Sequence, residues 1–299
     1  MITVIGSLNI DLIVYTQHFP ETGETLTAYK QSDAPGGKGA NQAVTIGRLG
    51  GQVEMIGAIG TDIYGQRLIT NLTANGVGTR GIKQYPDSST GMAFINVDQV
   101  GSNKIILVPG ANHLLSPKDI DENIGLIEES HFVLLQLEIP LETVQYTLLQ
   151  AYKLRKKTIL NPAPACKLPS EFLQYVDILT PNELELGTLT GLPLTDIDSM
   201  KVAAQTLIHQ GVKVVIVTLG EKGVLVVSAD KSSYIPAYPV KAVDTTAAGD
   251  AFTGALVLAL SQGEILQDAV HFANKVASIV VQRPGTQVSL PTLEEVNSL

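Results

Sequence analysis

The run Val243-Asp244-Thr245-Thr246-Ala247-Ala248-Gly249-Asp250-Ala251-Phe252-Thr253-Gly254 places one carboxylate, Asp250, directly after small residues. An apolar helical pattern follows at once (Ala251, Phe252, Ala255, Leu256, Ala259, Leu260). Small side chains let backbone N–H groups approach an anion closely. A helix start aims several unpaired N–H groups the same way, with a partial positive charge behind them. The amides of Ala247, Ala248 and Gly249 are therefore expected to form an anion hole for a phosphate. A carboxylate beside that phosphate would repel it, so Asp250 needs another task. The chemistry that fits is taking a proton from a hydroxyl that attacks the phosphate. An ordinary aspartate, with a pKa of about 4, is ionised at neutral pH. It is a weak base for an alcohol, which suffices when proton transfer comes late in a loose transition state.

Other polar groups could bind the molecule that carries the hydroxyl. Pro35-Gly36-Gly37-Lys38-Gly39-Ala40-Asn41 precedes a helical pattern. It reads either as a flexible loop or as glycines that bring backbone amides against a polyhydroxylated ligand, with Asn41 offering both a donor and an acceptor. Asn9 and Asp11 follow a short apolar run. They suit a turn, and they equally suit a sugar, because a carboxylate can accept from two adjacent hydroxyls. Glu138, after apolar strand residues, has the same two readings, and the sugar ligand is the preferred one. Asn182 with Glu185 three residues on makes a helix-capping pair whatever else it does.

Three segments, Gly6-Ser7-Leu8-Asn9-Ile10-Asp11, Pro35-Gly36-Gly37-Lys38-Gly39-Ala40-Asn41-Gln42-Ala43 and the Asp250 run, resemble in wording and order the ribokinase-type (PfkB) carbohydrate kinases. The likeness extends along essentially the whole chain. The Gly-Lys-Gly-Ala-Asn wording is similar to the ribose-specific branch rather than to the fructose or adenosine branches. The resemblance implies ATP-dependent phosphorylation of D-ribose at the 5-hydroxyl, giving D-ribose 5-phosphate and ADP. A related kinase for 2-deoxyribose or another sugar or nucleoside, or a non-catalytic sugar-binding protein, are the alternatives. It implies that Asn9, Asp11, Gly37, Lys38, Gly39, Asn41 and Glu138 face the sugar. Asn182 would lie near the ATP phosphates, and Glu185 would organise Mg²⁺ through water. The turn Thr218-Leu219-Gly220-Glu221-Lys222-Gly223 and Asn274 would line the nucleotide. A K⁺ would be held by a loop including Asp244, Thr246, Val280, Arg283, Gly285 and Ser289, mainly through carbonyl oxygens, supporting the anion hole without touching substrate. One departure is Gly101-Ser102-Asn103, where many relatives carry an acidic middle residue.

These groups need a frame. Apolar runs at Val53–Ala58, Phe132–Leu137, Thr158–Leu160, Asp177–Leu179 and Val212–Leu219 read as strands. Helical patterns cover Asn41–Leu49, Gly65–Ala74, Leu141–Arg155, Ser199–His209, Ala251–Leu260 and Ile265–Val281. The alternation predicts an α/β fold, a mostly parallel sheet with helices on both faces, with ligands beyond the carboxyl ends of the strands. Leu12–Tyr29 reads as extended chain, and Gly91–Val97 with Lys104–Val108 as a hairpin. By resemblance, residues of about 12–34 and 89–108 form a β lid on a single domain spanning 1–299. Exposed sheet edges need covering, so a homodimer through the lid is expected.

Composition narrows the partners. A net charge of −9 disfavours nucleic acid and anionic membranes. No apolar run reaches spanning length, and the start lacks a signal-like pattern. One cysteine, Cys166, cannot form an internal disulfide, so a cytoplasmic location is expected. Gly76-Val77-Gly78-Thr79-Arg80-Gly81 matches a dinucleotide fingerprint in letters, but it closes a helix instead of opening one, so it is read as a helix stop. The five histidines are scattered, which argues against a zinc centre.

Overall fold

The computed structural model describes residues 1–298. Nine strands form the main sheet, in the spatial order Ser232–Pro236, Gly223–Ser228, Val214–Thr218, Ile178–Leu179, Lys157–Leu160, Phe132–Leu135, Ile2–Ile5, Val53–Gly60 and Val77–Tyr85. The pairings from Val214–Thr218 to Val77–Tyr85 are all parallel, and the two strands beyond Val214–Thr218 pair antiparallel. Strands buried on both faces read as continuous apolar runs, which is why Ile2–Ile5 and Phe132–Leu135 are nearly all aliphatic. Successive side chains point to opposite faces. Val4, Leu134 and Ile216 enter one core, while Ile5, Val133, Leu135, Val215 and Val217 enter the other.

Helices Lys38–Arg48, Ala248–Ser261 and Leu266–Val280 cover the first face. Leu141–Lys153 and Ile197–His209 cover the second. Ala248–Ser261 is the most enclosed, with ten buried residues that include Asp250. Gly76 adopts φ 76° directly after the helix Ile63–Ala74 and leads into Val77–Tyr85. The glycine therefore stops a helix, as its position predicts.

A second sheet runs in the order Lys30–Gly36, Asn9–Tyr15, Gly91–Val97, Asn103–Val108. The expected hairpin is present, and its turn is drawn in by Asp98, whose Oδ1 accepts from the amides of Val100 and Ser102 at 3.0 and 2.9 Å. The expected extended chain differs in one respect. Asn9–Tyr15 is a strand that pairs parallel with Gly91–Val97 and antiparallel with Lys30–Gly36, so Asn9 and Asp11 sit on a sheet instead of in a turn.

Candidate active site

The site lies beyond the carboxyl ends of the main strands, between the two sheets. Its centre is Asp250 in the first turn of Ala248–Ser261, 7% exposed. Ala247, just before the helix, takes a left-handed φ of 61°, an unfavourable conformation for a residue with a Cβ. The Ala248 amide donates to the Thr245 carbonyl at 3.3 Å, and the Ala251 amide closes the helix onto Ala247 at 2.8 Å. Among the described residues no backbone acceptor meets the amides of Ala247 and Gly249. These two are the free donors of the predicted anion hole.

Both oxygens of Asp250 are held. Asn41 Nδ2 donates to Oδ2 and Gln42 Nε2 to Oδ1, each at 2.9 Å. A polar cavity of about 200 Å³ opens beside them, lined by Lys38, Asn182, Glu185, Thr218, Gly249 and Asp250 among others. A larger cavity, about 430 Å³, lies at the opposite end of the sheet around Lys153, Arg155 and Tyr175. It contains none of these groups, so size alone does not find the chemistry.

Helix Lys38–Arg48 is seated by glycines. Gly37 has φ 90°, open to glycine at no steric penalty. A Cβ on Gly39 would stand 2.7 Å from Gly6 C and Ser7 N, both backbone atoms. The helix start therefore lies directly on the chain leaving the first strand. Ala40 N donates to Ser7 O at 2.9 Å, and Lys38 N reaches Glu138 Oε2 at 3.2 Å. Ser7 Oγ donates to the same Glu138 oxygen at 2.5 Å. Glu138 thus binds the helix start with one oxygen, a role its sequence position did not suggest.

Five charged side chains converge. Burial, then Glu138 and Asp250, push the Asp11 carboxyl up to about 7, against the pull of Lys38. Burial works against the Lys38 ammonium, but Asp250, Glu138, Glu185 and Asp11 outweigh it and move it above its ordinary value. A Cβ on Gly36 would run into the Asp11 carboxylate, so a glycine there clears room for it. Asn9 is oriented by Asn112, whose Nδ2 donates to Asn9 Oδ1 at 2.7 Å and whose Oδ1 accepts from Leu8 N at 2.9 Å. With its oxygen occupied, Asn9 turns its N–H₂ outward.

Asn182 and Glu185 form the predicted capping box, each side chain taking the other's amide at 2.8 Å. Burial raises the Glu185 carboxyl, as does Asp250, while the Asn182 amide and Lys38 oppose it. Asn182 bridges to Thr218, which brings the turn Gly220–Lys222 and Gly223 to the same end of the sheet. Asn274, 8% exposed, reaches the Pro236 carbonyl at 3.5 Å on that side. Lys222 pairs with Glu183 at 3.6 Å.

Asp244 ties two loops together. Its Oδ1 accepts from Thr246 N and Oγ at 2.9 and 2.6 Å, and its Oδ2 from Gly285 N at 2.8 Å. Burial works against its charge, but these bonds prevail and hold its carboxyl below the ordinary value. Arg283 donates its amide to Val280 O at 3.0 Å and its guanidinium to Glu295 at 2.8 Å. Ser289 Oγ donates to Thr286 O at 2.6 Å. The sequence reading gave no role to Ser7 and Gln42, though both lie inside its motif segments, and it missed Asn112 and Gln136. All four are buried, and for Asn112 and Gln136 a polar residue in an otherwise apolar stretch was the only available signal.

The family model for the pfkB family carbohydrate kinase matches residues 1–293. The chain is 41% identical to the ribokinase of Haemophilus influenzae, over 98% of this chain and 96% of that protein. It is 40% identical to the deoxyribokinase of Salmonella typhimurium, over 99% and 97%. The structure of Arabidopsis thaliana ribokinase complexed with ribose and ATP superposes with a TM-score of 0.95 at 33% identity, covering 99% of this chain and 97% of that one.

Proposed function

Because the chain belongs to the pfkB family of carbohydrate kinases, we propose that it phosphorylates D-ribose at the 5-hydroxyl with ATP, giving D-ribose 5-phosphate and ADP. The observation that carries the reading is Asp250, buried at a helix start, held by two amide side chains and facing a polar cavity with Lys38.

Sugar enters between the two sheets, where Asp11 and the outward N–H₂ of Asn9 bind hydroxyls. Gly37, Lys38, Gly39, Asn41 and Glu138 border the same space. Asp250 accepts the proton of the attacking hydroxyl, and the Ala247 and Gly249 amides, with the start of the helix behind them, stabilise charge on the transferring phosphoryl oxygens. The Ala248 amide joins them if its bond to Thr245 opens. Lys38 adds a positive charge between phosphate and sugar. Asn182, Thr218, Gly220, Glu221, Lys222, Gly223 and Asn274 bind the nucleotide.

Among the described residues no cluster of three His, Cys, Asp or Glu side chains could cage a metal. Glu185, a buried carboxylate lining the cavity, fits Mg²⁺ held through water, since that ion keeps several waters and takes few protein carboxylates. Bound there, the ion would neutralise nucleotide phosphates. Asp244 and Thr246, with the carbonyls of Val280, Arg283 and Gly285 and with Ser289, fit a K⁺ site. The ionised Asp244 supplies charge balance beneath the anion-hole loop.

The second sheet, residues of about 12–34 and 89–108, acts as a lid that excludes water and so prevents idle ATP hydrolysis. It also pairs two copies into a homodimer. The reaction takes place in the cytoplasm, where ATP is available, and no helix among the described residues is long and apolar enough to cross a membrane.

The test is ADP release with ATP and Mg²⁺, with and without K⁺, using D-ribose, 2-deoxyribose, fructose and adenosine. K⁺-stimulated turnover preferring ribose is expected. A preference for 2-deoxyribose would keep the mechanism and move the substrate. No turnover with any acceptor, from folded protein that binds sugar, would leave a binding protein.

A further inference from the structure

Gln42 is fully buried, on the face of helix Lys38–Arg48 that meets the main sheet. Its Nε2 donates to Asp250 Oδ1 at 2.9 Å and to Asn161 Oδ1 at 3.1 Å, and its Oε1 accepts from Gln136 Nε2 at 2.6 Å. An amide can present either its oxygen or its nitrogen, so its direction must be set by its partners. Here the nitrogen end is set by two acceptors. Asn161 Nδ2 is committed to the Thr180 carbonyl at 2.9 Å, so its oxygen is what faces Gln42. Gln136 directs its N–H₂ at Gln42 although no protein donor reaches its own Oε1 among the described residues. A reversed Gln42 would set oxygen against the Asp250 carboxylate, oxygen against Asn161, and N–H₂ against N–H₂.

We propose that Gln42 is a positioning residue for Asp250, a step that rests on the reading of Asp250 as the base. Its N–H clamps Oδ1 and fixes the orientation of the carboxylate. The remaining oxygen, Oδ2, is then turned to the sugar hydroxyl, beside the N–H₂ of Asn41. The clamp is anchored to the sheet. Gln136, Asn161 and Thr180 directly follow the parallel strands Phe132–Leu135, Lys157–Leu160 and Ile178–Leu179. The base is therefore fixed to the rigid strand ends as well as to its own helix. A network that only glued a helix to a sheet would be served by aliphatic side chains, without burying three amides.

The experiment compares Gln42→Leu, Gln42→Glu, Gln136→Leu and Asp250→Asn by steady-state kinetics and pH profile. Gln42→Leu removes the donor at similar volume. It should lower kcat roughly 10- to 100-fold with sugar and ATP KM changed less than about threefold. Gln42→Glu puts a second carboxylate against Asp250, and two adjacent carboxylates share one proton. Its acid limb should move up by about a unit or more. The other charged groups facing Asp250, namely Lys38 on the helix that carries Gln42, Asp11 on Asn9–Tyr15 and Glu185 on Glu183–Thr190, are unchanged in these variants. Gln136→Leu leaves the Asp250 contact in place but removes the donor that holds Gln42 Oε1, and should give a smaller fall in kcat. It serves as the reporter if Gln42→Leu does not fold. Loss of a merely structural residue would lower the melting temperature without moving the pH profile. Wild-type kcat and pH profile in folded Gln42→Leu and Gln42→Glu, with Asp250→Asn inactive, would overturn the positioning role alone. An active Asp250→Asn would overturn the base assignment and the positioning role with it.

Discussion

Asp11 is the group in the site whose charge is least settled at neutral pH. Its carboxyl is pushed from 3.8 up to about 7 by burial first, then by Glu138 and Asp250. The sign follows directly. An acid whose folded pKa is raised favours the folded state below its ordinary value, and that contribution is lost as pH rises toward the folded value. Sugar hydroxyls donate to the ionised form, so binding pulls the proton off. Affinity of the nucleotide-free protein for D-ribose should strengthen as pH rises through 7 and level off above it. Calorimetry near that pH, in buffers of different ionisation heat, should show release of roughly half a proton per sugar bound. Asp11→Asn should bind more weakly and lose the pH dependence. A flat profile in the unmodified protein would sever Asp11 from sugar binding.

Among the elements, two helix starts meet at the site, and their glycines serve different ends. Gly39 has backbone 2.7 Å from where a Cβ would stand, whereas Gly249 has nothing within 4 Å. Gly39→Ala should gain a little helix propensity, under about 1 kcal/mol, and lose about 1–3 kcal/mol to overpacking that backbone cannot relieve. A lowered melting temperature is expected. Gly249→Ala should melt at or above the parent temperature, yet its methyl intrudes on the phosphate cavity and should cut turnover. Equal effects of the two on both readouts would refute the distinction. Asn112 offers a third case, because it decides which end of the Asn9 amide meets the sugar. Asn112→Asp offers acceptors only, so Asn9 should reverse and present its oxygen. Ribose KM should rise roughly tenfold or more with ATP KM unchanged; an unaltered ribose KM would dismiss the orientation argument.

Legibility follows the same division. Carboxylates and glycines near helix starts were readable, since their chemistry or backbone freedom is local. The amides were not, because a glutamine looks the same whether it solvates a surface or clamps a base. Gln42 and Gln136 stand 94 residues apart, and Asn112 and Leu8 104. The main strands were readable from unbroken apolar runs such as Phe132–Leu135. Asn9–Tyr15 was not, because its partner for parallel pairing, Gly91–Val97, is contributed by a distant segment.

At the scale of the whole molecule, a large buried sheet carries a small, more exposed one. Its register sorts its faces. Leu12, Phe94 and Ile106 are cross-strand neighbours on one face, and Asp11, Ala93 and Leu107 on the other. The Asp11 face is the one that borders the candidate site. The opposite face then leaves Phe94 45% and Ile106 69% exposed, next to the unpaired edge of Asn103–Val108. An apolar face beside an open edge strand invites a second copy of itself. Sedimentation of the full chain at micromolar concentration should therefore show a dimer. Ile106→Lys places a charge in that contact without touching the sugar side, and should weaken association at least tenfold, about 1.4 kcal/mol. If the partner steadies the lid, the monomeric variant should also show a raised sugar KM while the main sheet melts as before. A parent protein that remains monomeric at every concentration would show that this face is covered by something other than a second copy.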